Sequence, residues 1–334
     1  MPGVEAGAVY VPGFVSEGRP VAGPDEDAFT LAATAWEGLP PLPAGAPSAR
    51  TLHLVGSFPR MVDWGFAALL GHPVELVAHP AGLPGLSEAL AQVEAASPDG
   101  PPQLLLGVQI PERSGPDSEP DLGVGAGAVA LRFAAAGSLS RAERSLLREG
   151  PDVVSAAKVV LASRGVDPPG PTGHRGLSLG SIRPFVEAPV TAVSEGAYVP
   201  RARYLENLPS RWRLVAERCG HCGSLTFPAR GVCRSCSARE GLSPHPLPRD
   251  GGTVAAVTTI GQGGQPTEFD LQVAALGEYA VALVELAPGV VSTLQVTDAS
   301  PGEVRIGTRV ATRLRRLYPM EGEWRYGRKA LPLL

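Results

Sequence analysis

An α/β layer, then a small cysteine-clamped ribbon, then an all-β barrel is the fold class this sequence predicts. Three observations predict it. Strand-like and helix-like runs alternate through residues 1–135. All four cysteines fall between positions 219 and 236. Residues 243–334 read as short β runs broken by Pro-Gly turns.

Taken in order, "GAVYVPGFV" is an apolar strand run ending near Pro12 and Gly13. "GPDEDAFTLAATAWEGL" starts a helix: Pro24 and the acidic Asp25, Glu26 and Asp27 suit a helix N-terminus, and Leu31, Ala35 and Trp36 follow helical spacing. "ARTLHLVGS", "VELVAHP", "PQLLLGVQI" and "GAGAVALRFA" read as strands. "MVDWGFAALLG" and "GLSEALAQVEAA" read as helices, the first closed by Gly71. Strands and helices in alternation imply a buried sheet covered by helices. In residues 136–197, "SRAERSLLREG" and "DVVSAAKVVLASRG" look helical, and "VDPPGPTGHRG" looks like a linker. A leading helix and ribbon then fill 198–242, where Trp212 and Leu214 are placed to pack on the ribbon. "GGTVAAVTTIG", "EYAVALVELAPGVVSTLQVTDA" and "GTRVATRLRRLY" follow, punctuated by Pro288-Gly289 and Pro301-Gly302. Such short strands suggest a small barrel of the OB type.

The cysteines are Cys219, Cys222, Cys233 and Cys236, a C-x2-C-x10-C-x2-C pattern. Disulfides suit small secreted chains that cannot build a core. This chain has 334 residues and is 44% hydrophobic, enough for two cores without staples. It opens "MPGVEAGAVY", with neither the basic start nor the apolar stretch of a signal peptide. No apolar run is long enough to span a bilayer. A cytoplasmic, reducing setting is therefore expected, and there paired C-x2-C knuckles favour zinc over redox dithiols or disulfides. Four thiolates complete a tetrahedral ion and leave no open position, so the expected zinc is structural. Gly220 and Gly223 suit the tight turn of the first knuckle; the second knuckle lacks a glycine. His221, inside the first knuckle, is expected to face solvent.

Gly 41 and Pro 35 make up about a fifth of the chain without a period, which excludes collagen. The net charge of −4 hides an asymmetry: residues 1–200 carry 12 basic and 21 acidic side chains, whereas 201–334 carry 17 and 12. That contrast supports two units with different partners. The basic set of the tail has three readings: nucleic acid, the phosphates of a coenzyme, or a solvated face. Few aromatics interleave with it, and the whole chain is acidic, so nucleic acid is disfavoured.

The C-terminal part, about residues 198–334, resembles the acyl-CoA-associated proteins that join a rubredoxin-like zinc ribbon to an OB fold. "RWRLVAERCGHCG", "TFPARGVCRSC", "GGTVAAVTTI", "EYAVALVELAPGVVSTLQV", "IGTRVATRLRRL" and "WRYGRKALP" carry the resemblance in that order. It implies docking on thiolase-like enzymes and an association with coenzyme A. Arg313, Arg315, Arg316 and Arg328 are the expected phosphate-binding residues. Residues 5–135 are similar to the first half of 3-hydroxy-3-methylglutaryl-CoA synthase and its thiolase-fold relatives, through "YVPGF", "GPDEDAFTLAATAWEGL", "HLVGSFPRMVDWGFAALLG", "VELVAHPAGLPGLSEAL", "QLLLGVQIPE" and "GVGAGAVALRF".

The departure is informative. Those enzymes hold their acyl group on a cysteine at a helix N-terminus. Here His79 stands at that position, and all four cysteines belong to the ribbon. No residue is assigned a catalytic role. The expected fold is thus an α/β thiolase-like half-domain over 1–135, a helical or linker region over 136–197, a rubredoxin-like zinc ribbon with its leading helix over 198–242, and an OB-fold barrel over 243–334. The expected function is a non-catalytic accessory subunit on a thiolase-fold enzyme with an intact cysteine, binding or passing acyl-CoA. A stand-alone acyl-CoA enzyme using His79, or an OB-fold nucleic-acid binder, are the alternatives.

Overall fold

The computed structural model describes residues 4–12, 14–16, 19–23, 25–42, 48–59, 61–96, 100–110, 126–133, 152–163, 177–178, 200–270, 272–273, 277–320 and 323–333. The chain divides into two compact units, residues 1–67 with 72–180, and residues 68–71 with 181–334. No helix among the described residues is long and apolar enough to cross a membrane.

The first unit is built on β1 (Val4–Tyr10), β4 (Thr51–Val55), β5 (Glu75–His79), β6 (Gln103–Gln109) and β7 (Gly127–Phe133), in the order β1-β7-β6-β4-β5. Strands β4, β5 and β6 run parallel, and β7 is antiparallel to both β6 and β1. Every residue of β7 is buried, as the near-continuous apolar run requires of a strand covered on both faces. Short β2 (Phe14–Ser16), β3 (Arg19–Val21) and β8 (Leu177–Ser178) form a separate small sheet.

Helices α1 (Ala28–Glu37), α2 (Val62–Leu70), α3 (Gly82–Ala95) and α4 (Val153–Ser163) complete this unit. Asp27 caps α1 by accepting from Thr30 N–H at 3.0 Å, while Thr30 Oγ1 accepts from Asp27 N–H at 2.8 Å. The acidic run before the helix has a second use. Glu26 is 3% exposed and accepts from Tyr10 Oη at 2.6 Å and from Gly23 N–H at 2.7 Å, which ties α1 to β1. Leu86, Ala89, Leu90 and Val93 of α3 share one core with Val153, Ala157, Val160 and Leu161 of α4 and with Leu105, Val129 and Leu131 of the sheet. The "DVVSAAKVVLASRG" helix therefore lies on the sheet. The "SRAERSLLREG" and "VDPPGPTGHRG" segments lie outside the described residues. Gly85 lets α3 approach its own leading strand: a Cβ there would sit 1.8 Å from Pro80 O.

The second unit opens with α5 (Arg201–Glu206) and α6 (Leu208–Arg213). The ribbon follows as β9 (Val215–Cys219), β10 (Leu225–Thr226) and β11 (Leu242–Pro246), with β9 central and antiparallel to both neighbours. Then come β12 (Asp250–Ile260), β13 (Tyr279–Ala287), β14 (Val290–Gln295), β15 (Arg309–Met320) and β16 (Glu323–Pro332). Their order is β14-β13-β12-β15-β16, all antiparallel. A parallel bridge, Val296 to Ala330, brings the two edges together. The result is a nearly closed barrel, which removes the exposed edges that invite aggregation.

Ribbon and barrel share a core. Leu214, Ala216 and Leu247 pack with Val254, Ala282, Val284, Val310 and Ala330. Trp212 is fully buried and donates from Nε1 to Tyr326 O at 3.0 Å. Tyr204 Oη donates to the same carbonyl at 3.0 Å and accepts from Tyr326 N–H at 2.9 Å. Trp212 and Leu214 thus join the leading helices to the barrel as well as to the ribbon.

Candidate functional site

The two cysteine knuckles hang from the end of β9 and from the loop before β11. Cys219 and Cys233 are each 1% exposed, whereas Cys222 and Cys236 face solvent. All four Sγ atoms lie within 4.8 Å of one another. Cys219 and Cys236 are 3.6 Å apart, as are Cys222 and Cys233. Tetrahedral zinc with sulfurs at about 2.3 Å places them about 3.8 Å apart, so the cluster fits that ion.

The backbone builds both knuckles alike. Gly223 N–H donates to Cys219 O at 2.8 Å, and Ser237 N–H donates to Cys233 O at 2.9 Å. Gly223 has φ +73, and Ser237, at the same offset in the second knuckle, has φ +61. A serine therefore adopts the left-handed turn that glycine supplies in the first knuckle. Glu217 fixes the loop between them, its carboxylate accepting from Arg230 N–H at 2.9 Å and Gly231 N–H at 3.0 Å.

The thiols are poised for a cation. The hydroxyl of Ser224, 3.2 Å from Cys233 Sγ, is the largest influence holding that thiol down at about 5, helped by backbone N–H groups of the second knuckle. Ser224 likewise lowers Cys222. The Ala238 N–H pulls Cys236 down, yet the sulfurs of Cys222, Cys233 and Cys219 outweigh it and push the group up to about 12. Crowded thiolates oppose one another's ionisation, and a divalent cation removes that conflict. The site is closed, so its metal supports structure rather than chemistry. His221 is exposed, and among the described residues it belongs to no cation cluster.

Three of the four tail arginines, Arg313, Arg315 and Arg328, are buried. Arg315 is 0% exposed and pairs with Asp298 at 3.1 Å. Arg313 Nη1 meets Asp250 at 2.9 Å. Arg328 Nε donates to Trp212 O at 2.7 Å. Arg316 is half-buried, its guanidinium 4.7 Å from the centre of the Trp324 ring. Arg313 and Arg315 share the face of β15 opposite Val310, which packs in the barrel core, and Arg328 lies on β16, a detail that a count of basic residues does not register.

A cavity of about 520 Å³ opens where β14 and β16 diverge from their bridge. Leu214, Phe227, Ile260, Phe269, Tyr279 and Leu317 line it, together with the exposed Arg211. Its chemistry is that of an apolar slot with a cation on its wall.

In the first unit, His79 ends β5 and its side chain is 0% exposed. Its Nε2 lies 3.0 Å from His53 Nδ1, and His53 Nε2 lies 2.7 Å from Gln103 Oε1. With Gln103 accepting, His53 Nδ1 is the acceptor for a proton on His79 Nε2. Among the described residues His79 Nδ1 then has no hydrogen-bond partner, and it stands 3.8 Å from Glu88 Oε1. Burial holds the His53 imidazole below its ordinary value, against the raising effect of Gln103. His53 is missed by motif reading; its only signal is that it sits one strand over, near the register of His79. Ser57 is exposed in the loop after β4, and Ser87 lies within α3.

Residues 209–241 match the family model of the ChsH2 rubredoxin-like zinc ribbon domain. A DUF35 domain-containing scaffold protein of Methanothermobacter thermautotrophicus is 31% identical over 121 residues, covering 36% of this chain and 85% of that protein. A protein of the same description from Pyrococcus furiosus is 30% identical over 135 residues, covering 40% and 93%. Among solved structures, the chain has a likeness to an Ltp2-ChsH2(DUF35) aldolase, with 21% identity and a TM-score of 0.31, covering 41% of this chain and 99% of that one. It also has a likeness to PksG, a HMG-CoA synthase from Bacillus subtilis, with 18% identity and a TM-score of 0.31, covering 40% of this chain and 39% of that one. For a β-ketoacyl-[acyl carrier protein] synthase III from Thermus thermophilus the values are 19% and 0.31, covering 42% and 52%.

Proposed function

The chain belongs to the DUF35 domain-containing scaffold protein family, and we propose that it is a non-catalytic accessory subunit. It docks on a thiolase-fold enzyme that keeps its catalytic cysteine, and it helps hold or pass that enzyme's acyl-CoA. The observation that carries this reading is the pairing of a closed metal ribbon with a barrel that has an apolar cavity at its seam. Such a ribbon offers no catalytic position, because all four ligands are protein thiols. An apolar slot of about 520 Å³ with Arg211 on its wall suits an acyl chain carried on an anionic coenzyme. The phosphate role expected of the tail arginines enters the proposal through Arg316, the half-exposed member; Arg313, Arg315 and Arg328 are held by Asp250, Asp298 and Trp212.

The first unit fits the same role. Its cysteine position holds His79, buried against His53, and a base alone does not replace a thioester nucleophile. The chain contributes surface and binding, and the partner contributes the reacting thiol.

The test separates docking from ligand binding. Cys219→Ser with Cys222→Ser unfolds the ribbon and abolishes association with the partner enzyme. Ile260→Trp fills the cavity, weakens acyl-CoA binding and leaves association intact. Normal association in the cysteine variant refutes docking through the ribbon.

A further inference from the structure

A second cleft, of about 520 Å³, lies between the ribbon and the β13–β14 turn. It is separate in character from the apolar cavity. Arg218, Arg234, His245 and Ser235 line it together with Leu225 and Pro288, and Leu225 is the cross-strand neighbour of Arg218. No carboxylate lines it among the described residues. Among the described residues neither Arg218 nor Arg234 has an acidic partner, and both are exposed. The Arg218 guanidinium lies against the His245 ring, its Nε 3.5 Å from Nδ1 and its Nη2 3.3 Å from Nε2. That contact restricts a long side chain that is otherwise free. The backbone of Arg234 is fixed as well, its N–H donating to Thr226 Oγ1 at 3.1 Å.

We propose that this cleft is a binding site for a phosphate monoester carrying an organic body, of which a nucleotide is the simplest case. Two guanidinium groups on one cleft with no carboxylate in its described lining leave positive charge uncompensated, and a dianionic phosphate balances it through charge-assisted hydrogen bonds. Leu225 and Pro288 in the lining give the organic body apolar contact, which bare phosphate cannot use. A strip of duplex or single strand is a poorer fit, because the cations sit within one bounded cleft rather than along a track. The inference stands apart from the docking role and holds whether or not a partner enzyme is bound.

The experiment is calorimetric titration of the zinc-loaded full chain with inorganic phosphate, AMP and coenzyme A, separately, at low and physiological salt. AMP or coenzyme A binds saturably, more tightly than inorganic phosphate, and more weakly as salt rises; the tighter of the two identifies a free nucleotide or a coenzyme as the source. The R218Q/R234Q variant retains its zinc and loses at least tenfold in affinity, whereas R305Q, changed at another exposed arginine, does not. Absence of saturable binding, equal affinity for inorganic phosphate and AMP, or an unchanged affinity in R218Q/R234Q overturns the proposal.

Discussion

Asp298 Oδ2 and Arg315 Nη2 meet at 3.1 Å, and neither side chain is exposed. Charges taken fully out of water are stable when paired, and removing one partner leaves the other without its balancing charge. Asp298→Ala is expected to destabilise the barrel by about 3 kcal/mol or more. The double change Asp298→Leu with Arg315→Met is expected to recover most of that loss. Urea unfolding followed through tryptophan fluorescence measures both. A single change that costs no more than a surface substitution would contradict the buried pair.

Ser237 holds a left-handed turn, φ +61, at the offset where the first knuckle has Gly223. Side chains pay for that conformation with steric crowding, and glycine does not. Ser237→Gly is expected to stabilise the zinc-loaded ribbon by up to about 1 kcal/mol, about fivefold in zinc retention. Competition against a chelator reads it directly. Faster zinc loss in the variant would show that the serine side chain contributes more than its strain costs.

Gly85 stands where a Cβ would lie 1.8 Å from Pro80 O. The blocking atom is backbone, so no rotamer change relieves it. Gly85→Ala is expected to shift the β5–α3 connection and to cost about 2 kcal/mol or more, despite the better helix propensity of alanine. Thermal melting of the variant against the parent settles the sign.

His53 carries a pH dependence whose sign follows from its burial. Its folded value lies below the ordinary 6.5, so the unfolded chain binds the proton more readily. Stability from this group is complete above about pH 6.5 and falls as the pH drops below it. The denaturation midpoint of the first unit is expected to decrease between pH 7.5 and 5.5. His53→Gln is expected to shrink that decrease. A midpoint that rises on acidification would contradict this sign.

Much of the architecture was legible in the sequence, for stated reasons. Residues 75–79 and 103–109 are apolar runs between turn signals, and both are strands. The four cysteines carry their own geometry, because two-residue spacing leaves little choice of turn. The barrel showed through its Pro-Gly punctuation at 288–289 and 301–302.

Other features were not legible. The acidic run before α1 reads as dipole partners, but Glu26 is buried and serves Tyr10, because burial depends on a strand sixteen residues away. Arg315 reads as one of a basic set, yet its orientation depends on β15 alternation and on Asp298 in another segment. His53 and His79 are 26 positions apart and meet only because β4 and β5 pair in parallel. Contacts of this kind belong to topology rather than to spacing.

The most direct measurement is purification of the tagged chain from its own cells at moderate salt, with identification and quantification of what accompanies it by mass spectrometry. The accessory-subunit account predicts a thiolase-fold enzyme that retains its catalytic cysteine, recovered in near-equal amount and lost with Cys219→Ser and Cys222→Ser. Recovery of the chain alone, zinc-loaded and folded, would contradict it.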